Sequence, residues 1–166
     1  MNYKIIKNFL DLDTFRYIQE ITMATGDNTP DMAYFFNKTV TFNDTESKQF
    51  YFTHLLYLDD QPRSVFFSTI LVPLAKKLNA KTLIRAKVNL YTRTDEIVEH
   101  EPHRDFPYSH KGCIFSINTC DGYTRLGDKK IPSIENQALL FDPSIEHNST
   151  SCTNNQARFN ININYF

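Results

Sequence analysis

Three residues in the second half of the chain have the types and spacing of a metal-binding set. His103 and Asp105 are two positions apart, and on an extended segment residues i and i+2 point the same way. An imidazole and a carboxylate can therefore reach one ion together. His147 follows a short apolar run and the turn-forming pair Asp142-Pro143, which places it near the end of a strand pair. It is the third candidate ligand.

Two histidines and one carboxylate occupy one face of an octahedral ion and leave three positions open. This arrangement suits non-haem Fe(II), which binds a chelating co-substrate and then O2. Zinc prefers four ligands, so a hydrolytic zinc centre is the alternative interpretation. The other histidines, His54, His100 and His110, have no partner at a matching spacing and are predicted not to be ligands. Only a helical segment from His100 to His103 would bring those two together.

A strand with one polar face follows the candidate ligands. Arg158 lies 11 residues after His147, and polar and apolar residues alternate strictly from there to Phe166. The polar face either lies in water on a sandwich strand or lines a barrel that holds a polar ligand. An enclosed guanidinium needs an anionic partner, because a buried unpaired charge is very costly. A dicarboxylate would supply that partner through bidentate hydrogen bonds.

The elements that must position these residues divide the chain into two parts. Residues 3–9 are predicted to form a strand, followed by a helix that Asp11 or Asp13 caps and that ends near Gly26. Its apolar positions are Phe15, Ile18, Ile21 and Thr22. Residues 32–42 are predicted to be extended. A second helix is predicted to begin at Pro62. Its stripe comprises Val65, Phe66, Thr69, Ile70, Leu74 and Leu78.

The second part is predicted to be all β. The expected strands are residues 82–91, 112–118, 138–141 and 158–166, with turn-like segments between them. Two N-terminal helices followed by short strands indicate a small barrel or a double-sheet jelly roll that is buttressed by helices. The predicted fold class is therefore mainly β with N-terminal helices.

Composition excludes several functional classes. The 166 residues carry 18 Lys+Arg and 19 Asp+Glu, a net charge of −1, whereas proteins that clamp duplex phosphates show a clear basic excess. Nucleic-acid binding is therefore disfavoured. No apolar run reaches the roughly 18 residues of a membrane span, and the start lacks a signal peptide's apolar region. The three cysteines do not suggest a disulfide framework, so a reducing, cytoplasmic location is expected.

The ordered set of candidate residues resembles the 2-oxoglutarate/Fe(II)-dependent oxygenases, and among them the prolyl-4-hydroxylase-like members. The likeness extends to the segments Ile5–Asp11, Lys87–Tyr91, Cys113–Asn118 and Arg158–Phe166. It implies a double-stranded β-helix, a cupin-like jelly-roll barrel. Residues 1–166 would form a single oxygenase domain, with 1–80 as helical buttress and sheet strands and 81–166 as the barrel core.

The resemblance also implies roles for individual residues. His103, Asp105 and His147 look like the iron ligands. Arg158 looks like the residue that pairs with the distal carboxylate of 2-oxoglutarate, although many prolyl-4-hydroxylases have Lys there. Asn160 stands where many relatives have a Ser that helps this carboxylate, and Tyr91 matches a Tyr that contacts the co-substrate. Ser116 stands where some relatives have a second Tyr. The implied cofactors are Fe(II), 2-oxoglutarate as co-substrate and O2, with ascorbate as a further cofactor.

The implied reaction is hydroxylation of a C–H bond of a prolyl or other amino-acid residue, with release of succinate and CO2. The substrate would be a peptide, a protein or an amino acid, and neither a membrane nor a nucleic acid is an expected partner. One alternative is a non-catalytic jelly-roll binding module or virion component, which has no reason to collect inward-facing ligands. Another is a nucleobase-oxidising member of the same fold. Its basic groove is represented only by the patch Arg125, Lys129 and Lys130.

The segment from residue 92 to residue 102 joins the strand that carries Tyr91 to the metal motif. It holds the acidic residues Asp95, Glu96, Glu99 and Glu101 and no apolar stripe. We therefore expect a lid that is mobile without substrate and closes over the iron. Its charges would favour a substrate that bears Lys or Arg. The sequence carries no signal for the oligomeric state.

Overall fold

The computed structural model describes residues 2–28, 30–41 and 49–166. The helices are α1 (Leu12–Met23) and α2 (Val72–Leu78), and a π-helical turn (Phe67–Leu71) leads directly into α2. The strands are β1 (Tyr3–Ile6), β2 (Phe35–Asn37), β3 (Tyr51–Leu58), β4 (Gln61–Pro62), β5 (Leu83–Thr92), β6 (Lys111–Ser116), β7 (Cys120–Leu126), β8 (Lys129–Ser133), β9 (Gln137–Phe141) and β10 (Ala157–Tyr165).

One large antiparallel sheet forms the main layer. Its strand order is β1-β9-β6-β10-β5-β3-β2, and β4 pairs with β3 at one end. The strand with the polar face, β10, lies in the middle, with Asn160 opposite both Asn89 of β5 and Ser116 of β6. Because paired residues share a face of the sheet, β10 and its neighbours present one continuous polar surface.

A smaller layer covers that polar surface. It contains the β7–β8 hairpin and two extended segments, residues 93–105 and 147–152. Isolated bridges join Glu99 to Thr150 and His103 to His147, and a third joins the second segment to β7. Two facing layers of antiparallel strands make the double-stranded β-helix that the sequence predicts.

The apolar core lies on the opposite face of the large sheet. Asp11 caps α1 by accepting a hydrogen bond from the Thr14 amide, and Phe15, Ile18 and Ile21 of this helix are buried against the sheet. The same cluster contains Ile70 and Leu74 of the second helical segment and Ile161 and Ile163 of β10. The alternation in β10 therefore separates an apolar core from a buried polar layer. No helix of the described residues is long and apolar enough to cross a membrane.

Several element predictions were wrong. Strands β3, β7 and β8 were not predicted, and of residues 32–42 only Phe35–Asn37 are paired, with Phe42 outside the described residues. Pro62 does not begin a helix, because it pairs with Tyr57 in the β3–β4 hairpin. The helical segment begins at Phe67, and a proline fills the first turn of α2. Val65 is 89% exposed and so lies outside the buried stripe.

Residues 93–105 are not an unattached loop, because neighbouring extended segments hold them by backbone hydrogen bonds. The Arg93 amide donates to the Gln156 carbonyl, the His100 amide to the Ser149 carbonyl, and the Ser151 amide to the Val98 carbonyl. An amphipathic stripe is not needed for order when a neighbouring extended segment supplies the hydrogen-bond partners. Closure of the segment 92–102 over the metal on substrate binding stays a prediction.

Candidate metal centre

The small layer brings His103, Asp105 and His147 together. Their ligand atoms all lie within 4.8 Å of one another, and no other such group occurs among the described residues. His103 and His147 are bridge partners, and each backbone amide donates to the other's carbonyl at 3.0 Å. The Asp105 amide donates to the Pro143 carbonyl at 2.9 Å. Three backbone anchors thus place two imidazoles and a carboxylate around one point.

Neighbouring groups orient these side chains. His147 Nδ1 lies 3.0 Å from the Ile145 carbonyl, an acceptor, so Nδ1 donates and Nε2 is the ring nitrogen left to face a metal. Arg85 Nη2 donates to Asp105 Oδ1 at 2.8 Å, and Asn162 Nδ2 donates to Asp105 Oδ2 at 3.0 Å. Each carboxylate oxygen has two lone pairs, so Asp105 retains capacity for a cation.

The electrostatics favour the protonation states that bind a metal. Burial and the nearby His147 lower the pKa of His103 to about 4, which leaves a neutral imidazole at neutral pH. Burial alone would raise the pKa of Asp105, but the Arg85 guanidinium and His147 outweigh it and lower the pKa to about 2. A neutral imidazole and an ionised carboxylate are the forms that coordinate metals.

A chain of amides extends from Asp105 along β10. Asn162 donates to Asp105, Asn164 Nδ2 donates to Asn162 Oδ1 at 2.9 Å, and Asn164 Oδ1 lies 2.7 Å from His110 Nε2. Because the carboxylate only accepts, the orientations of the Asn162 and Asn164 amides are determined. His110 therefore supports the candidate ligand from a distance and is not part of the candidate ligand set.

Arg158 is buried behind the metal centre. Its side chain is 1% exposed. Nη1 donates to the carbonyls of Tyr123 and Thr150 at 2.8 and 3.1 Å, and Nη2 donates to Thr124 Oγ1 at 2.9 Å. Nε has no hydrogen-bond partner, and within the described residues the guanidinium has no carboxylate to pair with. All three partners belong to the small layer, so this cation lies between the two layers.

A buried guanidinium without an anion points to an anionic ligand. Nε and the second Nη2 proton form the side-on fork that a carboxylate accepts in bidentate fashion. Thr150, which contacts Arg158, lies three residues beyond His147, a separation of about 10 Å along an extended chain. The described residues therefore fit Fe(II) at the triad together with a ligand that chelates it and carries a second carboxylate, as 2-oxoglutarate does.

The other three predicted co-substrate residues share this inner surface. Tyr91 is opposite Arg158 in the sheet, and its ring lies 5.7 Å from the guanidinium carbon and stacks on His100 at 5.2 Å. Asn160 accepts a hydrogen bond from Asn89, and Ser116 is its partner on β6. All three are buried, and all lie on the polar face of the large sheet.

A cavity of about 840 Å³ opens beside the metal centre. The residues after β2, the strands β3 and β5, and residues 102–105 line it, so it reaches His103 and Asp105. Arg158, Tyr91, Asn160 and Ser116 are not in its lining. A molecule in this cavity would lie next to the metal ligands, on a different side from the Arg158 guanidinium.

The remaining candidates have structural roles. His54 lies between the Ala33 carbonyl and Ser64 Oγ, and His100 contacts Ser149 Oγ on an extended segment, so the helical pairing with His103 does not occur. Within the basic patch, Arg125 pairs with Glu99 through both Nε and Nη2.

Sequence reasoning missed Arg85, Lys87, Tyr51 and Asn162 as site residues. The signal for two of them is that Arg85, Lys87, Asn89 and Tyr91 alternate with apolar residues along β5. A polar face on a central strand that a second layer covers indicates a lined site.

Neither a protein-family model nor a curated protein matches the chain. Solved structures do match. A Pseudomonas putida prolyl-4-hydroxylase aligns with a TM-score of 0.66 at 11% identity, over 98% of this chain and 91% of that one. A prolyl hydroxylase from Trichoplax adhaerens, in complex with a hypoxia-inducible-factor peptide fragment, aligns with a TM-score of 0.60 at 16% identity, over 99% and 83%.

A third similar structure is that of an enzyme with a different activity. The non-haem α-ketoglutarate-dependent epimerase SnoN, from nogalamycin biosynthesis, aligns with a TM-score of 0.62 at 12% identity, over 99% of this chain and 76% of that one. The three alignments cover nearly the whole of this chain at low identity. The chain therefore has the double-stranded β-helix fold of the prolyl-4-hydroxylases and 2-oxoglutarate/Fe(II) oxygenases.

Proposed function

We propose that the protein is an Fe(II)- and 2-oxoglutarate-dependent dioxygenase that hydroxylates a C–H bond of a prolyl or other amino-acid residue or derivative. The observation that carries this proposal is the His103, Asp105 and His147 cluster in the small layer together with the buried Arg158 of β10, for which the described residues supply no carboxylate partner. A jelly-roll module that only binds a partner has no use for two imidazoles beside an ionised buried carboxylate and for an enclosed guanidinium.

The residues of this chain would divide the work between binding and orientation. The triad would hold Fe(II), and Arg158 would hold the far carboxylate of 2-oxoglutarate. When bound, these groups supply the redox chemistry: O2 is reduced, 2-oxoglutarate is oxidised to succinate and CO2, and one oxygen atom enters the substrate C–H bond. Arg85 and Asn162 keep Asp105 oriented, and the two facing layers keep water from the buried side of the metal.

The similar structures support an amino-acid-type substrate. Two of the three are prolyl hydroxylases, one with a bound peptide fragment, whereas the third is an epimerase from antibiotic biosynthesis. The cavity beside His103 and Asp105 is large enough for one amino-acid residue and its neighbours.

A succinate-release assay tests the proposed function. Wild-type protein with Fe(II), ascorbate and 2-oxoglutarate in air is offered proline peptides and free or N-acylated amino acids, and the products are analysed by mass spectrometry. We expect a substrate that gains one oxygen atom in step with succinate release, and no release with Asp105→Ala. Equal succinate release by the wild type and Asp105→Ala would contradict the proposal. So would a wild type that releases no succinate, either alone or with any of the compounds.

A further inference from the structure

The cavity beside the metal centre encloses a charged side chain, Lys87, for which the proposed function supplies no role. The charged residues of its lining are Lys38, Arg85, Lys87, Arg104, Asp105 and Glu146. Two pairs are neutralised, because Arg85 contacts Asp105 at 2.8 Å and Arg104 contacts Glu146 at 3.6 Å. Lys38 is exposed to solvent, whereas Lys87 is half-buried. Lys87 is thus an enclosed cation of this cavity. Among the described residues no carboxylate forms an ion pair with it, and Asp105, which pairs with Arg85, acts on it only at longer range.

The surroundings of Lys87 form a site with two donors. Its Nζ donates to Tyr51 Oη at 3.0 Å and lies 5.2 Å from the centre of the Tyr51 ring. An ammonium has three protons, so two remain for another acceptor, and among the described residues no acceptor takes the Tyr51 hydroxyl proton. Lys87 is two residues from Arg85 on the same face of β5, and Arg85 contacts the candidate metal ligand Asp105. The two donors therefore lie close to the metal centre.

Burial leaves this positive charge poorly compensated. Burial and the neighbouring Arg85 guanidinium lower the pKa of Lys87, and burial raises the pKa of Tyr51, which keeps its proton. Lys87 is separated from Arg158 by Tyr51 and Tyr91, whose rings stack at 5.5 Å. The two enclosed cations therefore serve different ligand groups. If Arg158 holds the co-substrate, Lys87 is left for another acid.

We propose that Lys87 and Tyr51 bind a carboxylate of the primary substrate, so that the enzyme acts on an acid rather than on a basic or neutral peptide segment. This inference rests on the proposed function. The opposite preference would follow if acidic residues of the segment 92–102 lined the cavity. They do not, and Glu99 is paired with Arg125 elsewhere. Apolar residues of the lining, Phe36, Val40, Leu55 and Leu58, would contact the uncharged part of the substrate.

The first arm of the test asks whether Lys87 serves the co-substrate instead. Mn(II) replaces Fe(II) so that no turnover occurs, and calorimetry measures 2-oxoglutarate binding to wild type, Lys87→Met and Arg158→Met. Met keeps the length of the side chain and removes the charge. We expect Arg158→Met to weaken 2-oxoglutarate binding at least tenfold and Lys87→Met to change it by less than about twofold. An equal loss in both variants would assign Lys87 to the co-substrate and overturn the inference.

The second arm asks whether an acid binds beside the metal. N-acetyl amino acids and the matching N-acetyl amino-acid amides differ only in the carboxylate. Each is added to the Mn(II)–2-oxoglutarate complex, and broadening of its proton resonances by Mn(II) reports binding close to the ion. In the wild type we expect at least one acid to bind tenfold or more tightly than its amide. Lys87→Met should abolish this difference and Tyr51→Phe should reduce it. The surface control Lys129→Met should retain it. Equal binding of acids and amides, or a preference that Lys87→Met leaves intact, would overturn the inference.

Failure of the proposed function would look different. Wild-type protein would then bind neither Mn(II) nor 2-oxoglutarate. The acid–amide comparison is in that case made on the metal-free protein by saturation-transfer NMR. If the metal-free protein prefers acids and Lys87→Met removes that preference, the carboxylate site stands although the oxygenase function does not. If no preference is found, both the carboxylate site and the oxygenase function are overturned.

Discussion

Asp105 is the most constrained residue of the candidate metal centre. One oxygen accepts from Arg85 and the other from Asn162, and the nearby cations keep the carboxyl ionised although it is buried. A carboxylate held on both sides in this way loses little freedom when it binds an ion. The His-x-Asp spacing alone predicts this residue. Its two supports come from β5 and β10, which are distant in sequence, so their contacts with it depend on the register of the folded sheet.

A substitution of Asn162 tests whether its hydrogen bond to Asp105 supports metal binding. Asn162→Ala removes the hydrogen bond to Asp105 Oδ2 and disconnects the amide chain to His110. We expect Fe(II) affinity to fall about 10- to 100-fold, as other losses of metal-ligand support do. Anaerobic calorimetry measures the affinity. Asn89→Ala is the matched control, because it removes a buried amide of the same inner surface that bonds to Asn160 and not to Asp105. Equal losses in the two variants would mean that Asn162 has no special role.

At the scale of elements, the close approach of β7 to β10 positions Arg158. A Cβ on Gly122 would lie 2.5 Å from the Ser151 carbonyl oxygen and 2.8 Å from Arg158 Cδ, so no side chain fits there. We expect Gly122→Ala to lower the free energy of unfolding by about 1–3 kcal/mol and to weaken 2-oxoglutarate binding by displacing Arg158. Urea denaturation and calorimetry measure the two effects.

Gly127→Ala is the control that separates a loss of stability from a loss of 2-oxoglutarate binding. Gly127 has a φ of +56°, so an alanine is strained there, but nothing lies within 4 Å of the added Cβ. We expect a stability loss of about 1 kcal/mol with unchanged affinity for 2-oxoglutarate. If both variants lose affinity for 2-oxoglutarate in proportion to their loss of stability, Gly122 acts only through the stability of the whole fold.

The turn between β9 and the segment that carries His147 should contribute stability that depends on pH. Burial opposes ionisation of Asp142, but hydrogen bonds from the hydroxyls of Ser109 and Ser144 outweigh it and lower its pKa to about 2. Because the folded pKa lies below the unfolded value, the contribution is complete above about pH 4 and disappears as the pH falls towards 2. Between about pH 4 and pH 2 we expect the free energy of unfolding of Asp142→Asn to fall by about 1 kcal/mol less than that of the wild type. This figure allows for the partial solvent exposure of Asp142. Urea denaturation at several pH values checks this, and parallel curves would contradict it.

Element prediction succeeded where a local pattern and the tertiary environment agree. Helix α1 begins at the predicted Asp11 cap and buries its predicted apolar positions, and β10 has the predicted alternation. It failed for β3, whose residues give no alternating pattern because both of its faces are partly covered. It also failed for β7 and β8, which belong to the small layer and contain few large apolar residues. Their pairing depends on a partner layer that the local sequence does not specify.

At the scale of the whole molecule, the fold separates two kinds of buried surface. Helices cover the apolar face of the large sheet, and the small layer covers the polar face, so Arg158 and three asparagines are enclosed without joining the apolar core. Strand β1 pairs with β9, and β10 pairs with β5 and β6, so the first and the last strand belong to one sheet. The interpretation of 1–166 as one domain stays a prediction. The sequence allows the polar face of β10, with Arg158, to lie either in water or inside a barrel. Only the position of the small layer over that face decides between the two.

The central claim is that His103, Asp105 and His147 bind Fe(II) and that 2-oxoglutarate joins the ion while Arg158 holds its far end. Anaerobic calorimetry with Fe(II), followed by 2-oxoglutarate, tests it most directly. The account predicts one Fe(II) per chain, 2-oxoglutarate binding that requires the metal, and neither event in an Asp105→Ala protein whose circular dichroism spectrum matches the wild type. Fe(II) binding of equal affinity in Asp105→Ala, or no Fe(II) binding by the wild type, would contradict it.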